Sequence, residues 1–220
     1  MSQNDLKVVI FLGNYSICKY AEKFIKERFK KSLFIKSDDK VFVRKIIKFS
    51  PNLLISFFNL KKIPQSLLKY DNFNIHSSLP KYPGRGGSSL AIFNKDNSFG
   101  VTAHTMEKEY DSGIILKIKK DILKVNYTCE KIYSLSEKLG FKLLKEVCEY
   151  YNQNRKLPNC EQNKKWGKYM TKKDFDSWLI LDPEKKKEFK LKIKASRHSK
   201  YNGPYVIING YKFSLLKENK

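Results

Sequence analysis

The sequence has little of what a metal centre, a redox pair or a dinucleotide clamp requires. Its four cysteines are scattered without a Cys-x-x-Cys pair, which argues against a zinc site and against a redox dithiol. We therefore expect reduced, structural thiols and no bound metal. The first predicted strand is followed by Gly-Asn-Tyr-Ser at residues 13–16 and not by Gly-x-Gly-x-x-Gly, so a dinucleotide site is not supported.

Long apolar runs are also missing. No run approaches the roughly 20 residues that a membrane-spanning helix needs. The apolar run at residues 8–12 is too short for the core of a secretory signal, and no small-residue cleavage site follows it. We expect a cytoplasmic protein with no membrane partner.

Arginine is scarce in an otherwise very basic chain. The formal net charge is +23, yet only five of the 45 basic residues are Arg. Bidentate recognition of phosphate favours Arg, whereas Lys spread along every element is typical of a solvated surface. From residue 151 onward, 18 basic and 7 acidic residues give a net charge of +11. Two interpretations stay open: a generic Lys-rich surface, or an anionic partner such as a nucleotide or nucleic acid.

Apolar strand-like runs alternate with amphipathic helical stretches along the first 150 residues. Strands are predicted at residues 6–12, 32–35, 52–58, 73–76, 99–106 and 114–118, and helices at 17–29, 41–49, 88–93 and 129–151. This alternation predicts an α/β fold with a Rossmann-like, mostly parallel sheet. The tail adds a helix near 183–195 and a hairpin at 205–213, whose Asn209-Gly210 pair suits a two-residue turn. We place a main domain at residues 1–157 and a small C-terminal helix-plus-hairpin module with a basic surface at 158–220.

The chain has only three histidines, His76, His104 and His198. His76 follows Asn74 by two residues at the end of a predicted strand, and side chains two apart on a strand share a face. Ligands of parallel α/β sheets bind beyond the carboxyl ends of the strands, so both side chains can reach one site. His104 stands among small and apolar strand residues, which favours a structural role, and His198 is predicted at the surface.

Two sequence blocks carry a resemblance to a known family. The segment from Asn74 to Gly86 resembles the loop N-x-H-P-S-L-L-P-x-Y-x-G of the folate-dependent formyltransferases. A second block at residues 100–106 and 111–115 is similar to that family's G-V-T-x-H-x-M and D-x-G-x-I/P-I. The resemblance covers about residues 51–116, with a weaker one at 193–210 to the C-terminal module of the tRNA and sugar members.

The chain also departs from the family pattern. Ser77 replaces the usual proline of the first block, and the loop is one residue shorter, as it is in some sugar-modifying members. The region before residue 51 is shorter than in most of the family. We therefore expect a sheet that is shortened at its N-terminal side, in a catalytic domain at residues 1–157.

The resemblance implies transfer of a formyl group from 10-formyltetrahydrofolate to an amine, with Asn74, His76 and Asp111 as catalytic residues. The residue types fit this chemistry. His76 can accept the proton that the attacking amine must lose near neutral pH. Asn74 can donate an N–H to the oxyanion, and Asp111 can hold the imidazole or an ordered water.

The resemblance further implies that backbone groups hold the pterin of the folate after the strand at 52–58 and near the acidic loop at 107–111. By position, the predicted folate contacts are Phe58, Asn59, Leu60, Lys61 and Tyr110. The predicted substrate contacts are Tyr82 and Arg85, because a guanidinium in a glycine-bearing loop can bind a phosphate. A solvent-facing Arg85 is the other interpretation.

Three functions stay open. The short loop, the compact size and the tail of about 50 residues resemble the enzymes that formylate a nucleotide-linked amino sugar. Methionyl-tRNA formyltransferase is the runner-up, supported by the positive tail, and a catalytically silent RNA-binding protein on the same fold is the alternative. The hairpin also offers free edges for a homodimer. Trp166 and Trp178 could stack on a base, but core packing is the more common role of tryptophan.

Overall fold

The computed structural model describes residues 5–36, 42–159, 165–201 and 203–214. Its strands are β1 (Lys7–Leu12), β2 (Lys31–Lys36), β3 (Leu53–Phe57), β4 (Asp71–His76), β5 (Ser98–His104), β6 (Ile115–Ile122), β7 (Tyr205–Ile208) and β8 (Tyr211–Ser214). Its helices are α1 (Ile17–Arg28), α2 (Val43–Phe49), α3 (Gly87–Phe93), α4 (Cys129–Asn154), α5 (Lys172–Trp178) and α6 (Lys186–Ser196). None of these helices is long and apolar enough to cross a bilayer.

The first six strands form one sheet in the order β2-β1-β3-β4-β5-β6. Strands β2, β1, β3 and β4 pair in parallel, and β5 is antiparallel to both of its neighbours. The predicted α/β class and the mostly parallel, Rossmann-like sheet are therefore confirmed. The C-terminal helix and hairpin are confirmed as well, and positive φ angles at Asn209 and Gly210 form the predicted turn.

Helices cover both faces of the sheet because its central strands are apolar on both sides. Alternate residues of β1 join different clusters: Val8 and Ile10 pack with residues of α1 and α4, and Val9 packs with residues of α2. All five residues of β3 are buried. Strands buried on both faces read as continuous apolar runs, and this is the pattern that the sequence shows at residues 53–57.

The carboxyl ends of β3 and β4 lie side by side, since Phe57 is in register with Ile75. Directly after β3, Phe58 has a positive φ of 49°, which turns its ring onto α4. Gly140 of α4 makes this contact possible, because a Cβ there would lie 2.5 Å from the Phe58 ring. This turn at Phe58 places residues 58–61 along the same edge of the sheet as the carboxyl end of β4.

The tail is tied to the main domain by an extended segment, residues 165–171, which we call the strap. Its backbone bonds to the loop after β4: the Gly167 N–H donates to the Pro80 carbonyl at 2.9 Å and the Met170 N–H to the Pro83 carbonyl at 3.0 Å. In return, the Arg85 N–H donates to the Met170 carbonyl at 2.9 Å. The sequence did not predict the strap or α5. The boundary at residues 157/158 stays a prediction.

Some sequence predictions fall outside the described residues. These are the thiol of Cys160, the turn at residues 37–39 and the first residue of the helix predicted at 41–49. The remaining cysteines, Cys18, Cys129 and Cys148, are buried and carry free thiols.

Candidate active site

The structure brings the three predicted catalytic residues together at the end of β4. Asn74 and His76 point to the same face of β4, and Asp111 reaches them from the loop before β6. His76 Nδ1 lies 3.2 Å from Asp111 Oδ2. His76 and Asp111 are 35 positions apart in the sequence, yet their side chains are neighbours in the structure.

The orientation of the His76 ring is fixed by a backbone carbonyl. Its Nε2 lies 2.9 Å from the Tyr82 carbonyl oxygen, and because a carbonyl only accepts, Nε2 carries a proton and donates it. The Ser78 hydroxyl donates to the same carbonyl at 2.6 Å. Nδ1 is therefore the basic nitrogen of the ring, and its contact with the Asp111 carboxylate becomes a hydrogen bond once Nδ1 carries a proton.

His104 belongs to the same polar cluster, so the structural role predicted for it was incomplete. Its Nδ1–H donates to the Thr105 carbonyl at 2.8 Å, which leaves Nε2 as an acceptor. Asn74 Nδ2 donates to this Nε2 at 3.0 Å. The pairing of Asn74 with His104 across β4 and β5 brings the two side chains together. The second N–H of the Asn74 amide is left for a ligand.

Asp111 is held as a carboxylate. It has a positive φ of 45°, and its Oδ2 accepts the Gly84 N–H at 2.8 Å. Burial alone would raise the pKa of its carboxyl, but the His76 and His104 rings and the Gly84 N–H outweigh burial and lower that pKa to about 2.

His76 is held as a neutral imidazole. Burial is the largest influence and lowers the pKa of the His76 ring below its ordinary value, although Asp111 and the Tyr82 carbonyl act in the opposite direction. A buried, neutral imidazole beside a carboxylate can take up a proton at Nδ1 and share it with that carboxylate. The cluster thus has the composition of a proton-accepting site.

A cavity of about 430 Å³ opens in front of this cluster and is lined by Asn74, His76, His104 and Asp111. All five predicted folate contacts line it: Phe58, Asn59, Leu60, Lys61 and Tyr110. Leu60 and Tyr110 are 60% and 45% exposed, so apolar surface is available at the mouth. The Asn59 side chain bonds both the N–H and the carbonyl of Lys61, at 3.2 and 2.9 Å, which stiffens this loop.

The two predicted substrate contacts have different outcomes. Arg85 is exposed and lines the cavity. The side chain of Tyr82 does not: its hydroxyl donates to Asp96 Oδ2 at 2.7 Å and its ring packs with Leu90 and Ala91. Its role in substrate binding stays a prediction. The backbone carbonyl of Tyr82 points toward His76, and with the backbone in this orientation the Tyr82 side chain points inward.

The cavity lining also includes polar residues that the sequence did not suggest. Tyr15 before α1 and three residues of α4, Tyr133, Ser136 and Glu137, line it. The Ser136 hydroxyl is buried and has no hydrogen-bond partner in the described part of the chain. Burial raises the pKa of the Glu137 carboxyl. A spacing of three to four residues puts these α4 side chains on one face of the helix.

The aromatic residues of the tail lie in two different environments. Trp178 packs as predicted, 5.5 Å from the Phe175 ring and 5.3 Å from the Phe93 ring between ring centroids. Trp166, predicted to pack in the core, instead contacts the His104 ring at 4.8 Å. His198 is half-buried against Tyr133.

Solved structures of other proteins share this fold. A 4-N formyltransferase from Francisella tularensis superposes with a TM-score of 0.82 at 21% identity, covering 98% of this chain and 98% of that one. An N-formyltransferase from Helicobacter canadensis, solved with folinic acid and dTDP-3-aminofucose, superposes with a TM-score of 0.70 at 21% identity, covering 94% of this chain and 86% of that one. At such identities these likenesses establish the fold.

Sequence comparison adds the family. A methionyl-tRNA formyltransferase from Syntrophomonas wolfei subsp. wolfei is 26% identical over 178 residues, which cover 79% of this chain and 56% of that protein. The chain thus spans about half the length of this relative. A family model described as formyl transferase matches residues 20–148, more than half of the 220 residues. The chain belongs to the formyl transferase family.

Proposed function

We propose that this protein is an N-formyltransferase that moves the formyl group of 10-formyltetrahydrofolate to the amine of a nucleotide-linked amino sugar. The observation that carries this proposal is the cluster of Asn74, His76 and Asp111 at the wall of a 430 Å³ cavity. The cluster combines a neutral base, a hydrogen-bond donor and a carboxylate, which are the groups that acyl transfer to an amine requires.

The roles of the three side chains follow from their hydrogen bonds. The free N–H of the Asn74 amide stabilises the negative charge that develops on the formyl oxygen, since the other N–H is fixed on His104. His76 accepts the proton of the attacking amine at Nδ1, because Nε2–H is committed to the Tyr82 carbonyl. Asp111 stabilises the imidazolium across 3.2 Å.

The residues around the cavity mouth fit a folate. Leu60 and Tyr110 present apolar surface to a flat ring, and the loop stiffened by Asn59 presents backbone groups that can bond a pterin. When bound, the folate supplies the activated formyl group. The relative from Helicobacter canadensis, which has the same fold, was solved with folinic acid.

Part of the cavity lining suits a polar acceptor. The Glu137 carboxylate can bond the hydroxyl groups of a sugar ring. Glu137 would repel a phosphate, so we place the phosphates of the acceptor near Arg85, which also lines the cavity. The dTDP-3-aminofucose present in the Helicobacter canadensis structure supports this acceptor class.

A second candidate function is formylation of an aminoacyl-tRNA. It is favoured by the methionyl-tRNA formyltransferase of Syntrophomonas wolfei, which matches 79% of this chain, and by the net charge of +23. This enzyme would use the same three side chains. The two candidates therefore differ in the acceptor and not in the chemistry at His76.

The test is a formylation assay with 10-formyltetrahydrofolate against UDP-, dTDP- and GDP-linked 3-amino and 4-amino sugars and against methionyl-tRNA. We expect one of the nucleotide sugars to be formylated, and His76→Asn to lose at least about 100-fold in kcat. Lys23→Ala, at a side chain that is 76% exposed on α1, is the matched control with unchanged activity. Formylation of methionyl-tRNA alone would replace the first candidate by the second.

A further inference from the structure

Trp166 of the strap lies behind the imidazole cluster. It is half-buried, and it is not among the residues that line the cavity. It also lies outside residues 20–148, which match the family model. Its contacts with the site therefore come from the strap, and they lie away from the side of the site that faces the cavity.

The indole ring of Trp166 covers both imidazole rings. Its centroid lies 4.8 Å from that of His104 and 5.9 Å from that of His76, with interplanar angles of 82° and 73°. Edge-to-face contacts of this kind are favourable and exclude water from the space between the rings. The cavity lies on one side of the imidazole pair, and the indole closes another.

The indole N–H of Trp166 holds the loop that carries Asp111. It donates to the Gly113 carbonyl at 2.8 Å. The next residue, Ile114, is bonded to Thr105 from both its N–H and its carbonyl, at 2.8 and 2.9 Å. The loop is thus fixed at two neighbouring points directly after Asp111, whose left-handed backbone needs such support.

We propose that Trp166 is a positioning residue of the site. Its ring keeps water away from the imidazole pair, and its N–H keeps the Asp111 carboxylate in register with His76. The effect on catalysis rests on the proposed function, whereas the effect on the His76 ring does not.

The groups that face His76 determine which change to expect. Asp111 and His104 are the charged or titratable neighbours, and the Tyr82 carbonyl and the Ser78 hydroxyl are the polar ones. Burial lowers the pKa of His76 and Asp111 raises it. Loss of the indole ring relieves burial and raises this pKa, whereas a displaced Asp111 lowers it. The two functions of Trp166 therefore have opposite signs.

The direct test is an NMR titration of the three histidine rings in the full chain, with the His76 signals assigned from His76→Asn. In Trp166→Phe, which keeps a ring and loses the N–H, we expect the pKa of His76 to fall, because the Asp111 carboxylate is displaced. In Trp166→Ala, which loses the ring as well, we expect this pKa to lie about half a unit or more above that of Trp166→Phe, since water gains access to the ring. Trp178→Phe, in the other aromatic cluster of the tail, is the matched control and leaves His76 unchanged.

Activity adds a second measurement. Trp166→Phe is expected to lower kcat several-fold with unchanged KM for the formyl donor, because the Asp111 loop is loosened and the cavity is intact. If Trp166→Ala does not fold, Trp166→Leu takes its place and is expected to shift the His76 titration in the same direction by less.

The outcomes separate the two proposals. A folded Trp166→Ala or Trp166→Leu chain whose His76 pKa does not exceed that of Trp166→Phe would overturn the shielding role, and an unshifted His76 in Trp166→Phe would overturn the support of Asp111, even if the wild-type protein formylates an amino sugar. A shifted His76 in a chain that formylates no amine would retain the shielding role and reject the proposed function. An unmoved His76 together with a lower melting temperature would mean that Trp166 only stabilises the fold.

Discussion

At the scale of single residues, the site is organised by two backbone carbonyls. The Tyr82 carbonyl fixes the proton of His76 on Nε2, and the Thr105 carbonyl fixes the proton of His104 on Nδ1. The other nitrogen of each ring faces the functional side chains: His76 Nδ1 lies 3.2 Å from Asp111, and His104 Nε2 lies 3.0 Å from Asn74 and 3.4 Å from Asp111. The fold selects the tautomers before any ligand binds.

The pH dependence should report on His76. Because burial lowers its pKa below the ordinary 6.5, the base stays neutral at pH 7, and kcat/KM should fall only as the pH drops below about 6.5. In Asp111→Asn the carboxylate that raises this pKa is lost. We expect the acid limb to move to lower pH and kcat to fall about 100-fold. A pH–rate profile of both proteins measures this, and a limb that moves to higher pH would contradict it.

We expect Asn74 to stabilise the oxyanion through one N–H of its side-chain amide. In Asn74→Ala we expect kcat to fall by about 100- to 1000-fold, the usual effect of removing one oxyanion donor. The KM for the formyl donor should stay unchanged, since the loop at residues 58–61 is not altered. Steady-state kinetics measures both values. A raised donor KM with normal kcat would assign Asn74 to ground-state binding.

Residues of the site that lie close together in the sequence could be grouped from the sequence pattern alone, whereas residues that lie far apart could not. Asn74 and His76 lie two apart on one strand, so their common face follows from the strand period. Their contact with Asp111 was implied by the family blocks. The role of His104 was missed because it depends on the register of β5 against β4, which a sequence pattern does not fix, although the second block contains this histidine.

At the scale of elements, α4 shapes the cavity from behind. Gly140 leaves room for the Phe58 ring, and Tyr133, Ser136 and Glu137 line the cavity. One helix thus supports Phe58 and also contributes lining residues of its own. The helix was predicted from its period, but its part in the site was not.

Gly140→Ala tests this arrangement. The added Cβ would lie 2.5 Å from the Phe58 ring, so the ring must move into the cavity wall. We expect a loss of about 1–2 kcal/mol in the free energy of unfolding, an overpacking cost larger than the gain in helix propensity. The KM for the formyl donor should rise several-fold. Lys138→Ala, at an exposed position of α4, is the control for denaturant unfolding and kinetics, and wild-type stability with normal KM would contradict the prediction.

The strap is an element that the sequence pattern did not predict. Its hydrogen bonds to the loop at residues 80–85 are made by the backbone, and backbone contacts leave no residue pattern. Helix α5 had a signal: Thr171 and Asp174 form a capping box, and Thr-Lys-Lys-Asp is its sequence form. Its seven residues were too few for a periodic pattern to stand out in a charged tail.

At the scale of the whole molecule, the chain carries a net charge of +23. Lysines of α1, α5 and α6 form ion pairs with acidic residues four positions away. Such pairs are typical of solvated helices and stabilise them only slightly. The exposed lysines therefore favour a generic basic surface over a dedicated nucleic-acid groove.

Binding of bulk tRNA tests this interpretation. We expect a Kd weaker than about 1 µM at about 150 mM salt, with affinity arising from unspecific phosphate contacts. Fluorescence anisotropy over a salt series measures the affinity and its slope. Sub-micromolar binding with a steep slope would favour the aminoacyl-tRNA acceptor. Competition by a nucleotide sugar would show whether the tRNA occupies the cavity.

The strap is synthesised after the residues of the site that it covers. Domains fold from the N-terminus as they are synthesised, so β4, β5 and the Asp111 loop are made long before Trp166 leaves the exit tunnel. Until then the nascent sheet carries its two imidazoles without their indole cover. The imidazole pair would therefore be covered only late in translation, once the strap has been made and has docked on the loop after β4.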